Sequence, residues 1–137
     1  MPGESSAKPW WRRWFGNRSE RAAVRFLKGL GYRILATNVR TPQGEIDAVA
    51  LDGMTLVFVE VRSTGVEDVN RPAMSVDGIK QRRLTALAVH YLQKHRLLDR
   101  PARFDVLAVS WPDAQREPRI VHYADAFPAT GRFQMFN

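Results

Sequence analysis

The chain contains no cysteine. That excludes disulfides, thiolate nucleophiles and zinc–thiolate sites, and it suits a reducing cytoplasm. It also lacks any apolar run long enough to cross a bilayer. It has no charged start followed by an apolar segment and a small-residue cleavage site, so neither a membrane span nor a signal peptide is expected. Its three histidines, His90, His95 and His122, do not have metal-ligand spacing. No internal repeat or low-complexity tract stands out. Acidic residues are the minority, 14 against 21 basic ones, for a formal net charge of +7. Such a balance favours a polyanionic partner, nucleic acid before an anionic membrane. A length of 137 residues fits one domain with its own core.

Residues 1–17 read as a flexible arm. Met1 to Pro9 is small, polar and proline-containing, and Trp10-Trp11-Arg12-Arg13-Trp14-Phe15 follows. Interleaved Trp and Arg suit stacking on bases with phosphate contact, a membrane surface, or docking on protein. Residues 18–127 form the expected domain and 128–137 a tail. A helix is expected to start at Ser19 as N-cap, with Ala23, Phe26, Leu27 and Leu30 as its apolar stripe and Gly29 and Gly31 closing it. Tyr32 to Asn38 reads as a strand. A second helix over about Val76 to Leu97 carries Leu84, Leu87, Ala88, Tyr91 and Leu92 at helical spacing. Lys80 lies one turn earlier on the same stripe. Arg103 to Trp111 and Arg119 to Tyr123 read as strands. The order α-β-β-β-α-β-β gives an α/β fold, a mixed sheet with a central antiparallel hairpin flanked by helices.

The hairpin is the most informative stretch. Two alternating runs, Gly44 to Leu51 and Met54 to Arg62, flank Asp52-Gly53, a strong short hairpin signal. Reading Asp52-Gly53 as the turn pairs Leu51 with Met54, Val49 with Leu56 and Glu45 with Glu60. Alternation then puts Glu45, Asp47 and Val49 on one face with Leu56, Phe58, Glu60 and Arg62. Asp47 and Glu60 become diagonal neighbours roughly 7–8 Å apart at the backbone, within reach of one cation. The opposite face, Ile46, Ala48, Val57, Val59 and Val61, is wholly apolar and needs covering. Asp47 and Glu60 offer hard oxygen ligands suited to Mg²⁺ or Mn²⁺, and the Val61 carbonyl is a third candidate ligand. Glu20, entering from the first helix, is placed to orient a water. Arg40, Arg62, Lys80, Arg82 and Arg83 are the candidate phosphate contacts, against the plainer reading of the helix cations as a solvated face.

Asp47 followed by Glu60-Val61-Arg62 resembles the PD-(D/E)xK nuclease motif. The domain as a whole resembles the YraN-like family of uncharacterised bacterial proteins. The matching stretches are Ser19-Glu20-Arg21-Ala22-Ala23, Gly31-Tyr32, Asn38-Val39-Arg40, Gly44-Glu45-Ile46-Asp47, Leu56 to Val61, Ile79-Lys80 and Arg103-Phe104-Asp105-Val106. The resemblance implies a restriction-endonuclease-like core related to Holliday-junction resolvases. It also implies metal-dependent hydrolysis of DNA phosphodiesters, with Glu20, Asp47, Glu60, Arg62 and Lys80 as the catalytic set.

The motif's lysine is Arg62 here. Arginine stays protonated and cannot act as a base, but it can grip a phosphate with two parallel hydrogen bonds. Three outcomes stay open: Arg62 acts electrostatically, Lys80 supplies the missing ammonium, or the site binds without cutting. The competing function is therefore a catalytically degenerate nucleic-acid-binding module, and a third is an interaction protein driven by the arm. A resolvase role predicts a homodimer. Asp105 is open to two readings, a structural partner of Arg103 or Lys80, or an outer residue orienting Lys80.

Overall fold

The computed structural model describes residues 10–64, 76–112 and 117–129, with side chains from Arg18 onward. Seven elements follow in the order α1 (Trp10–Gly29), β1 (Arg33–Thr41), β2 (Gly44–Asp52), β3 (Thr55–Thr64), α2 (Gly78–Lys94), β4 (Ala102–Ser110) and β5 (Arg119–Phe127). The five strands form one mixed sheet in the order β1-β2-β3-β4-β5. All neighbours are antiparallel except β3 and β4, which run parallel. A parallel pair needs a long crossover, and α2 lies within it. The predicted order and mixed α/β class are those observed.

Each face of the sheet is covered by one helix. Leu84, Leu87, Ala88, Tyr91 and Leu92 of α2 pack on Val49, Leu56, Phe58, Phe104 and Val106. Ala23 and Leu27 of α1 pack on Ala48, Ala50, Val57, Val59 and Leu107. These are two separate apolar layers with β3 at the centre. Burial of this kind is the dominant favourable term in folding.

Six expectations are corrected. The helix does not begin at Ser19: α1 starts at Trp10, so the Trp/Arg segment forms its first turns, while residues 1–9 lie outside the described residues. Ser19 is instead buried at 1% exposure. There it bonds the Ser63 hydroxyl at 2.9 Å and accepts from the Trp111 indole at 3.0 Å. Leu30 is half exposed, not core, because the helix has already ended. Gly31, at φ 92°, donates to the Lys28 carbonyl, and Tyr32 N–H reaches back to Leu27. These two bonds make a Schellman cap, which wants glycine in the left-handed position.

Two corrections concern the hairpin. Leu51 pairs with Leu56 and Asp52 with Thr55, a two-residue shift from the expected register. Gly53 is therefore the first central residue of the turn, and its φ of 63° fits the glycine-first hairpin type rather than an Asp-Gly centre. A shift of two preserves which face each β3 residue occupies. The face assignment of β2 fails for a different reason. Ile46 and Val49 both pack on the α2 layer although they are three residues apart, and so do Ala36 and Val39 of β1. The register irregularity of this pair lies between Ile34 and Ala36, but the change of face falls between the in-register pairs Thr37↔Ala48 and Val39↔Ile46, where Asn38 takes φ 50°. Ile46 thus leaves the α1 face, and Asp47 no longer sits beside Val49.

The predicted second helix starts two residues late, at Gly78. Asp77 is its N-cap, accepting from the Lys80 N–H at 2.9 Å. β5 runs four residues beyond the expected Tyr123, to Phe127.

Candidate active site

The broken alternation at Asn38 and Asp47 builds the site. Regular pairing of β2 with β3 runs as far as Ala48↔Val59. Past that point the Asp47 side chain, not its backbone, reaches β3. Its Oδ2 accepts from the Val61 N–H at 2.8 Å. The carboxylate therefore stands in the line of the sheet, between the face covered by α1 and the face covered by α2.

Glu20 from α1, Glu45 from β2 and Asp47 converge. One oxygen from each lies within 4.8 Å of the others. Among these three, Glu45 also faces Arg40 Nε at 3.9 Å. With its amide nitrogen turned toward the acids, Asn38 donates to Glu20 Oε1 at 3.0 Å and Glu45 Oε2 at 2.9 Å. The expected opposition of Glu45 and Glu60 does not occur. Glu45 joins Glu20, while Glu60 is paired with α2.

Glu60 is buried at 8% exposure, and its Oε2 lies 2.6 Å from Lys80 Nζ. A buried carboxylate needs such a partner. The Lys80 stem runs along the sheet while its head reaches the site, as the sequence suggests. Asp47 sits between the two groups and has no cation of its own among these contacts. Burial first, then the Glu60 charge, push its carboxyl from 3.8 up to about 8; the Val61 N–H pulls the other way, and Glu20 and Glu45 add to the rise. Rises of this kind, from burial beside a like charge, cluster at functional sites.

Three hard carboxylates within bridging distance are the donor set that Mg²⁺ or Mn²⁺ takes. The residues present therefore fit the ion that the motif implies. They fit it through Glu20, Glu45 and Asp47, with Glu60 next to Asp47. Val61 meets Asp47 through its N–H. Glu45 belongs in the site more firmly than its place in the sequence suggests, and Asn38 was not foreseen there. The only sequence signal for Asn38 is its residue type, since asparagine tolerates the left-handed conformation.

The cations are spread differently from the carboxylates. Arg62 lies on β3 two residues beyond Glu60, in register with Ala108. Arg40 is exposed on the edge strand β1, and Arg82 and Arg83 are exposed on α2 beside Lys80.

Asp105 lies elsewhere. It is completely buried and accepts from Arg103 Nε at 3.0 Å, Arg103 Nη2 at 3.3 Å and the Asp125 N–H at 2.9 Å. His122 Nε2 lies 2.7 Å from its second oxygen. Arg103 continues the network to the Tyr32 hydroxyl at 2.7 Å and Asp52 at 3.1 Å. Lys80 belongs to Glu60 instead, so Asp105 has the structural role. It ties β4 to β5 and, through Arg103, to Tyr32 ahead of β1 and Asp52 at the end of β2, and His122 has a partner that its sequence spacing did not suggest.

A family model described as "Uncharacterised protein family UPF0102" matches residues 19–109. The chain is 45% identical over 112 residues to a UPF0102 protein of Geotalea uraniireducens, covering 82% of this chain and 87% of that one. It is 46% identical over 105 residues to one from Dehalococcoides mccartyi, with 77% and 85% covered. It is 48% identical over 104 residues to one from Moorella thermoacetica, with 76% and 86% covered. The matched region spans α1 from Ser19 through nearly all of β4, and so contains every residue of the carboxylate group.

Proposed function

The chain belongs to the uncharacterised protein family UPF0102, and from that premise we propose that it is a metal-dependent nuclease that hydrolyses DNA phosphodiesters, with branched DNA as a candidate substrate. The observation that carries this reading is the approach of Glu20, Glu45 and Asp47 to within 4.8 Å, next to a Glu60–Lys80 pair of 2.6 Å. Like charges gathered and partly buried cost stability. A divalent cation is the simplest group that offsets that cost. The motif resemblance and the basic surface point the same way.

Glu20, Glu45 and Asp47 would hold the ion, with Glu60 beside them; when bound, Mg²⁺ or Mn²⁺ polarises a phosphoryl oxygen, activates water and balances the charge on the leaving oxygen. The chain's own groups do the rest. Val61 N–H fixes the Asp47 carboxylate. Glu20 orients the attacking water. Lys80 supplies the ammonium that the motif places two residues after Glu60, so the second of the three outcomes has the most support. Arg62 keeps its charge and holds phosphate oxygens. Arg40, Arg82 and Arg83 contact the DNA backbone, which reads shape rather than sequence. The absence of cysteine fits work in the cytoplasm.

The test incubates the purified full chain with duplex, single-stranded and four-way-junction DNA, in Mn²⁺ or in EDTA. Metal-dependent cleavage is expected. It is lost in Asp47→Asn and Glu60→Gln and reduced at least 100-fold, on the order of one general-acid–base contribution, in Lys80→Ala. Binding without cleavage of any substrate would replace this reading with the degenerate binding module. A role on four-way junctions requires two cuts and therefore a dimer by light scattering.

A further inference from the structure

Asn38 is an unusual strand residue. It sits inside β1 with φ 50°, a conformation that costs most side chains energy and that asparagine tolerates. It lies between the pairs Thr37↔Ala48 and Val39↔Ile46, in line with Asp47 on the neighbouring strand. Its amide nitrogen has two hydrogens to give. With the amide turned so that its nitrogen meets the acids, the orientation that the surrounding acceptors require, both are used, on Glu20 Oε1 at 3.0 Å and Glu45 Oε2 at 2.9 Å. One neutral group thus bridges two carboxylates that come from different elements and would otherwise repel. The backbone of the same residue lies where β1 and β2 change faces, the change that frees the Asp47 carboxylate to reach Val61.

We propose that Asn38 is the positioning residue of the carboxylate group: its amide holds Glu20 and Glu45 at the spacing that one hard divalent cation requires. Its geometry is independent of the nuclease reading, but its purpose rests on that reading. Hydrogen bonds from outer residues hold metal ligands in place before the ion arrives, and losing one typically weakens binding about 10–100-fold. Aspartate at this position would add a fourth negative charge, alanine would strain the backbone, and glycine would accept the conformation while removing the amide. Asn38→Gly is therefore the informative variant.

Two measurements on the full chain test this. The first is a thermal double-mutant cycle in EDTA, with Asn38→Gly made in the native background and in a Glu20→Ala/Glu45→Ala background. The second is Mn²⁺ affinity by electron paramagnetic resonance. Asn38→Gly is expected to lower the melting temperature in the native background, and the loss should shrink at least twofold, a rough criterion for pairwise coupling, once both acceptors are gone. Its Mn²⁺ affinity should fall about tenfold or more. An equal thermal loss in both backgrounds overturns the amide bridge. Unchanged Mn²⁺ affinity in a folded variant overturns the positioning role. A native chain that binds no Mn²⁺ instead overturns the metal reading and the purpose given to Asn38, while thermal coupling that persists in EDTA would still uphold the bridge, so the two failures are distinguishable.

Discussion

Asp47 is held at odds with its own chemistry. Its carboxyl is pushed from 3.8 up to about 8 by burial and by Glu60. A group whose pKa is higher folded than unfolded contributes stability at low pH and loses it as pH rises through the folded value. Its full contribution is therefore present below about pH 4 and is gone above about pH 8. Asp47→Asn removes this dependence. In EDTA the variant should be more stable than the native chain at pH 8, by something on the order of 2–4 kcal/mol, because each tenfold weakening of a carboxyl's acidity on folding is worth about 1.4 kcal/mol. The difference should shrink toward zero near pH 4. Chemical denaturation at a series of pH values measures it, and a gap that does not vary with pH would show that Asp47 is not held in its charged form at a cost. The same substitution should abolish Mn²⁺ binding, so stability and function should move in opposite directions at this residue.

Among the elements, β4 carries the most demanding polar group. Asp105 is completely buried and is met by Arg103, His122 and the Asp125 backbone. Asp105→Asn leaves the Arg103 guanidinium facing a neutral amide inside the sheet layer. Breaking a buried pair in this way costs about 3–5 kcal/mol, read as a lower denaturation midpoint, with the carboxylate group of the site left in place if the domain still folds. A cost near zero would mean that water reaches the network. The elements themselves were largely legible in the sequence, because α2 follows a plain helical period and β4 is a short, nearly continuous apolar run. The Lys80 position one turn before Leu84 was legible for the same reason. The β2–β3 register was not: Asp52-Gly53 looks like a turn centre, but Gly53 with Met54 makes the turn. The face of Asp47 was not legible either, because alternation assumes an unbroken strand and it lapses between Ile46 and Ala48, alongside Asn38 with its φ of 50°. Ser19 looked like a cap because the residues before it resemble an arm; its hydroxyl is spent instead on Ser63 and Trp111.

For the molecule as a whole, the net charge of +7 and five candidate phosphate contacts set a salt dependence. If Arg40, Arg62, Lys80, Arg82 and Arg83 all neutralise phosphates, the log–log slope of DNA affinity against salt should be about −4 to −5. Replacing Arg82 and Arg83 by alanine should make it shallower by about 2. An unchanged slope would remove α2 from the DNA path. Among the described residues no helix is long and apolar enough to cross a membrane. The crossover from β3 to β4 has one more consequence, for the order in which the site is made. Glu45, Asp47 and Glu60 lie within a hairpin whose contacts are close in the chain. Lys80 rides on the connection that must close before Leu56 can meet Ala102. Long-range parallel pairing is slow, because loop entropy is lost before contacts repay it. A chain emerging from the ribosome therefore displays Glu60 before it has the ammonium that answers it, and a free divalent ion can balance that acid in the meantime.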